Sequence, residues 1–206
     1  MIVDLAIKSA NNKCPVDIAM EDPLLNWWIY LSWRSRAAIR AYDKAFSKDG
    51  TFHSTDPYAQ LIDVHAFFTH AAMVARAFLP SPKGASARTK SRAAALRTRI
   101  GIQEKPFKDC LNARNNLDHY DERIDAIEAI PGGIVAPVSY QARTQEDLKR
   151  LGEKRSALML VYLKDEHALV TYAPNGDRIV TKIEPIHREL CYVLTRSTDF
   201  MERRQG

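Results

Sequence analysis

The chain has 206 residues, 46% hydrophobic and 27% charged, enough apolar material for one sizeable core, which excludes a disordered chain and a small stapled scaffold. Lys and Arg outnumber Asp and Glu by 30 to 25, a net charge of +5 that permits a polyanionic partner but is a weak field when spread over the surface. Three cysteines, Cys14, Cys110 and Cys191, lie far apart with no C-x-x-C pair, so no disulfide framework or zinc signature is present and a reducing, cytoplasmic compartment is expected.

Residues 1–21 show no sustained period and contain the breakers Asn11, Asn12 and Pro15. They lack the apolar core of a signal peptide, and no stretch of the chain approaches the roughly 18 apolar residues of a membrane span. Asp22-Pro23 supplies a helix start, an N-cap acid followed by proline at the first helical position. Leu24, Trp27, Trp28, Leu31, Ala38, Ala41 and Ala45 then recur at three- and four-residue spacings, predicting an amphipathic helix over residues 24–48 that Asp49-Gly50 ends. Asp56-Pro57 repeats the start signal. Residues 58–79 are apolar around much of a helical circumference, which predicts a helix buried between neighbours and stopped by Pro80-Ser81-Pro82.

Residues 83–105 carry seven basic side chains against the single acid Glu104, so the positive charge of the whole chain is a local feature. They read as a short basic helix or a partly mobile loop. Arg88, Lys90, Arg92, Arg97 and Arg99 are its candidates for contact with a nucleic-acid backbone.

A third long helix is expected over residues 107–130, closed by Pro131-Gly132-Gly133. Residues 134–156 are looser, with a short helix at 145–154. The period then changes to β-branched and aromatic runs at 158–163, 168–173 and 178–183, and Asn175-Gly176 between the last two is a hairpin signal. Glu184-Pro185 opens a final helix over 184–204. The fold class is therefore mainly α: one domain over 1–206, an antiparallel four-helix bundle with a three-stranded antiparallel β insertion at 157–183 before the last helix. Three strands cannot make a core alone, so they should pack on the bundle or on a partner.

The third long helix holds the main polar constellation, Asn112-Ala113-Arg114-Asn115-Asn116-Leu117-Asp118-His119-Tyr120-Asp121-Glu122-Arg123. On an ideal wheel Arg114, Asp118, Glu122, Asn115 and His119 fall within about 140°, while Cys110, Ala113, Leu117 and Tyr120 lie on the opposite, apolar side. The pair Arg114/His119 followed by an aromatic and an acidic-Glu-Arg run resembles the HEPN-domain signature, R-x4-6-H with Asn favoured after the Arg, on a third bundle helix.

That resemblance implies a metal-independent endoribonuclease of toxin or phage-defence type, with Arg114 and His119 catalytic and no cofactor. Residue chemistry is compatible: an imidazole can take a proton from a 2′-hydroxyl or give one to a leaving oxygen, and a guanidinium can hold a phosphate and offset developing charge. The divergence of about 140° between the two side chains on a continuous helix suggests a composite site at the twofold of a homodimer. Asn115 is placed to orient the histidine ring. Asp118 and Glu122 support from the same face, and Tyr120 from the core or interface side. RNA is the expected substrate, with a cognate antitoxin protein as a further expected partner.

Two alternatives stay open at this stage. One is a catalytically inactive HEPN-like module that binds RNA, a nucleotide or a partner protein; the other is a purely structural oligomerisation domain whose polar face carries only i,i+4 pairs. His65 and His70 are five apart rather than four, which argues against a metal site on their helix and reads as one core and one surface histidine. Trp27, Trp28 and Trp33 read as core or dimer contacts. No Gly-rich phosphate loop or G-x-S-x-G is present.

Overall fold

The computed structural model describes residues 23–46, 57–119, 134–147, 156–172 and 178–203. Helix α1 is Leu25–Ala45, α2 Pro57–Phe78, α3 Ala87–Ile100, α4 Glu104–Asp118 and α5 Ile183–Glu202. Strands β1 Ile134–Ala142, β2 Ser156–Leu163, β3 Ala168–Tyr172 and β4 Arg178–Lys182 lie between α4 and α5.

The α1 helix buries Trp28, Leu31, Ser35, Ala38, Ala41 and Ala45 along one stripe. Its small residues allow close approach, and α1 packs against both α2 and α5. Trp28 stacks on Phe200 of α5 with ring centroids 4.4 Å apart. The helix starts at Leu25, with Pro23 in the turn before it; Asp22, the expected cap, lies outside the described residues.

The α2 helix starts at Pro57 as its sequence predicts and is the central element. Val64, Phe67, Phe68, Ala71, Val74, Ala75 and Phe78 are all fully buried, because α1, α3, α4 and α5 each contact it. Phe78 stacks on Phe107 of α4 at 5.8 Å.

The basic segment forms the ordered helix α3. Ser86 caps its start, its hydroxyl accepting from the Thr89 N–H at 3.1 Å. Gly101 ends it at φ 77°, a left-handed conformation in which a Cβ is strained. Ala93, Leu96 and Ile100 fix it to the core.

The sheet corrects the sequence reading. Strands β2, β3 and β4 form the expected antiparallel meander, but β1 adds a fourth strand parallel to β2, in the order β1-β2-β3-β4. Its sequence disguised it: Pro137 interrupts the run, and proline is tolerated at an edge strand where the ladder is irregular. The β1–β2 register shifts between Ala136 and Ser139, spanning that proline. Parallel pairing requires a crossover, and a helical turn begins at Gln145. Thr144 and Asp147 cap it reciprocally, with Asp147 N–H donating to Thr144 Oγ1 at 3.2 Å and Thr144 N–H to Asp147 Oδ2 at 3.1 Å. The remainder of the helix expected at 145–154 lies outside the described residues.

The meander packs on the helices. Tyr162 and Leu169 join the main core, and the Asn116 side-chain amide of α4 donates to Thr171 Oγ1 of β3 at 3.1 Å, both residues being buried. The opposite face of the sheet has its own small cluster of Ala142, Val161, Leu163, Ala168 and Val170. The expected strand end Ile183 is instead the first residue of α5.

Candidate functional site

The α4 helix positions the motif. Its Gln103 cap has no side-chain bond of its own; the Gln103 N–H donates instead to Glu189 Oε1 of α5 at 2.8 Å. Burial pushes the Glu189 carboxyl up, and the backbone hydrogen bond opposes that shift. Phe107, Cys110 and Ala113 are fully buried and Leu117 nearly so, leaving Asn112 and Asn115 exposed and Arg114 partly exposed. Burial also raises the Cys110 thiol, so it is an inert core residue.

The helix ends at Asp118, short of the expected 130, and His119 is its C-cap at φ −96°, ψ 39°. Its N–H still reaches Asn115 O at 3.2 Å. Arg114 and His119 are therefore not two points on one continuous helix: His119 sits where the chain turns out of α4, exposed to solvent. Tyr120 and Glu122 lie outside the described residues.

Asp118 is the centre of the polar face. One carboxylate oxygen pairs with Arg114 Nη1, and the other lies 3.5 Å from His65 Nε2 of α2. Arg114 retains 43% of its side-chain exposure and His65 48%, so Asp118 fixes one edge of the guanidinium while leaving further N–H donors towards solvent. His65 thus joins the motif, a residue whose spacing from His70 suggested no role. Asn115 is exposed one residue after Arg114.

The five basic candidates on α3 separate by use. Arg97 is structural: its Nη1 donates to the Phe78 carbonyl and its Nε lies 3.6 Å from Glu104 Oε1, which removes it from the phosphate-contact set. Arg92 is partly buried, its guanidinium 3.8 Å from the Trp27 ring centroid. Arg88, Lys90 and Arg99 are exposed. Of the three tryptophans, Trp28 is core, Trp27 packs beneath Arg92, and Trp33 is 58% exposed.

A second cluster joins sheet to helices. Tyr42 Oη of α1 is 2.8 Å from His167 Nε2, and Tyr162 Oη is hydrogen-bonded to Nδ1 of the same ring. His167 has φ 44°, uncommon for a non-glycine residue, in the β2–β3 turn. His187 of α5 stacks on Tyr42 at 4.0 Å and places Nε2 3.7 Å from Cys191 Sγ. Burial lowers both histidines, His167 and His187, and raises Cys191, with Asp43 and Glu184 raising the thiol further. A thiol held in its neutral form is a poor nucleophile, so the cluster serves as a buried clasp. The i,i+4 pair His187/Cys191 was legible in the sequence; the approach of Tyr42 to His167 was not.

No group of three or more His, Cys, Asp or Glu side chains among the described residues is arranged to hold a metal ion. No helix among the described residues is long and apolar enough to cross a membrane. No family model, curated protein or solved structure matches the chain.

Proposed function

We propose that the chain is a HEPN-like, metal-independent endoribonuclease. The observation that carries the reading is the solvent-facing end of α4, where Arg114 is held by Asp118 with donors to spare and His119 leaves the helix exposed beside it. The long helices α1, α2, α4 and α5 around a shared core are compatible with the four-helix arrangement of that family.

In this reading the 2′-hydroxyl of RNA attacks the adjacent phosphorus and the bond to the 5′-oxygen breaks. His119 of one copy takes the hydroxyl proton, and His119 of a second copy returns one to the leaving oxygen. Arg114 offsets the charge on the phosphoryl oxygens. Products are a 2′,3′-cyclic phosphate and a 5′-hydroxyl. A twofold bringing two α4 ends together supplies both histidines, so the active species is a homodimer, with an antitoxin protein as the partner that would cover it.

The Arg114–Asp118–His65 network favours a second reading, because a guanidinium already paired can serve only to bind. There the same surface is an inactive RNA-, nucleotide- or partner-binding module, or a purely structural oligomerisation domain.

Cleavage of a labelled RNA in EDTA separates these readings. The enzyme reading predicts cleavage by the wild type and loss of about a hundredfold or more in His119→Ala and Arg114→Ala, with fold and oligomeric state unchanged. Equal rates in all three proteins contradict it, and binding without cleavage by the wild type selects the module.

A further inference from the structure

A continuous ladder of aromatic rings and guanidinium groups runs from α3 onto α1. Arg92 lies over Trp27 at 3.8 Å, Trp27 meets Tyr30 edge-on at 5.5 Å, and Arg34 covers Tyr30 at 5.5 Å and Trp33 at 4.2 Å. His70 of α2 accepts from Arg34 Nη1 at 3.1 Å and holds it in place. The ladder ends at Trp33, 58% exposed, with Ile29 beside it 47% exposed.

From Trp33 a row of cations continues along the outer face of α1. Arg36, Arg40 and Lys44 recur every four residues and, with Ile29 and Trp33, occupy an arc of about 80° on an ideal helix. Arg36 is partly exposed, Arg40 and Lys44 fully so. The Nε atoms of Arg34, Arg36 and Arg92 are buried without a hydrogen-bond partner. No ion pair between this row and a carboxylate is formed among the described residues, and the nearest acid in sequence is the exposed Asp43.

We propose that this face of α1 is a docking platform for single-stranded RNA, a base stacking on Trp33 and the backbone following Arg36, Arg40 and Lys44. Exposed tryptophan with interleaved arginine suits a strand whose bases are free to stack, since every base has a π-face and every linkage a negative charge. A second copy fits poorly: an isologous contact through this face would set like-charged rows against each other. An apolar peptide would bury the same cations without compensation. His65 and His70 diverge by about 140° on α2, so the outer face of α2 separates the Arg34 ladder from the Asp118 motif. RNA is chosen over DNA because the inference rests on the endoribonuclease reading; the platform itself uses neither Arg114 nor His119.

The test is fluorescence anisotropy with a labelled single-stranded RNA of mixed sequence, in EDTA, using full-length His119→Ala protein to suppress cleavage. Adding Trp33→Ala is expected to weaken binding about tenfold or more, with Trp33→Phe largely restoring it. Arg40→Gln with Lys44→Gln is expected to reduce the slope of log K against log salt by about 1.4. Unfolding temperatures should stay at the parent value, because all three side chains are exposed. Equal affinity in Trp33→Ala overturns the platform, as does equal competition by a duplex of the same sequence. A concentration-dependent dimer lost in Trp33→Ala with RNA affinity intact assigns the face to a second copy and also overturns it. RNA cleavage by the wild type is scored separately: cleavage with Trp33→Ala binding unchanged sinks the platform alone, whereas Trp33-dependent binding without cleavage sinks the nuclease reading alone.

Discussion

The hydrogen bond from Asn116 to Thr171 ties the motif helix to the sheet, and removing it should have a calculable effect. Asn116 lies between Arg114 and His119, its amide 3.1 Å from Thr171 Oγ1, and the two residues are 8% and 2% exposed. A neutral hydrogen bond contributes about 1 kcal/mol net, but an orphaned buried polar group costs about 1–3 kcal/mol. Asn116→Ala leaves the Thr171 hydroxyl without this donor and opens a small void, so a loss of about 2 kcal/mol is expected. Thr171→Val keeps the shape of the side chain and leaves the amide short of one acceptor, costing about 1–2 kcal/mol. Because either change breaks the same bond, the double variant should lose about 1 kcal/mol less than the sum of the singles. Thermal unfolding reads this directly: about 2 kcal/mol corresponds to a fall of about 4–8 °C for a chain of this size. Strictly additive losses, or Asn116→Ala melting with the wild type, would refute the docking of sheet on helix.

Burial lowers His70, His167 and His187 from an ordinary value of 6.5, so the folded state favours the neutral rings. Their contribution is complete above pH 6.5 and is lost as pH falls from there through the folded-state values; the melting temperature should drop between pH 7.5 and 5.5, less so in His70→Gln, and a flat profile would contradict this. Gly101→Ala should cost about 1 kcal/mol, purely from its left-handed backbone at φ 77°, since a Cβ there meets only Tyr192 Oη at an ordinary 3.7 Å; urea denaturation checks it, and an unchanged midpoint would oppose it. Glu189→Gln keeps an acceptor for the Gln103 N–H and should match or exceed wild-type stability. Glu189→Leu orphans that N–H and should cost about 1–3 kcal/mol, and an equal effect of the two changes would deny Glu189 its capping role.

Local signals carried most of the fold. Pro57 marks the start of α2, and Asn175-Gly176 joins strands whose pairing Tyr172 with Arg178 is that of a hairpin. What escaped depends on remote partners. Strand β1 is stabilised by β2 across a crossover, and Pro137 reads as a break unless the edge position is known. Tyr42 and His167 meet across 125 residues. The end of α4 at Asp118 breaks a polar and apolar pattern that, by periodicity alone, continues beyond it.

At the site, the sequence located Arg114, Asp118 and His119 but not His65, which reaches Asp118 only because α2 packs on α4. Composition grouped Arg97 with the phosphate-contact candidates. Its guanidinium is occupied by the Phe78 carbonyl and Glu104, a use that becomes visible only when α3 folds back on the end of α2.

The most direct test of the endoribonuclease reading is the chemistry of the cut end. RNA incubated with the wild type in EDTA should yield fragments ending in a 2′,3′-cyclic phosphate, and a 2′-deoxy nucleotide at the scissile position should block the cut. Cleavage that survives the deoxy substitution, or 3′-hydroxyl ends, would contradict attack by the 2′-oxygen and with it the roles given to Arg114 and His119.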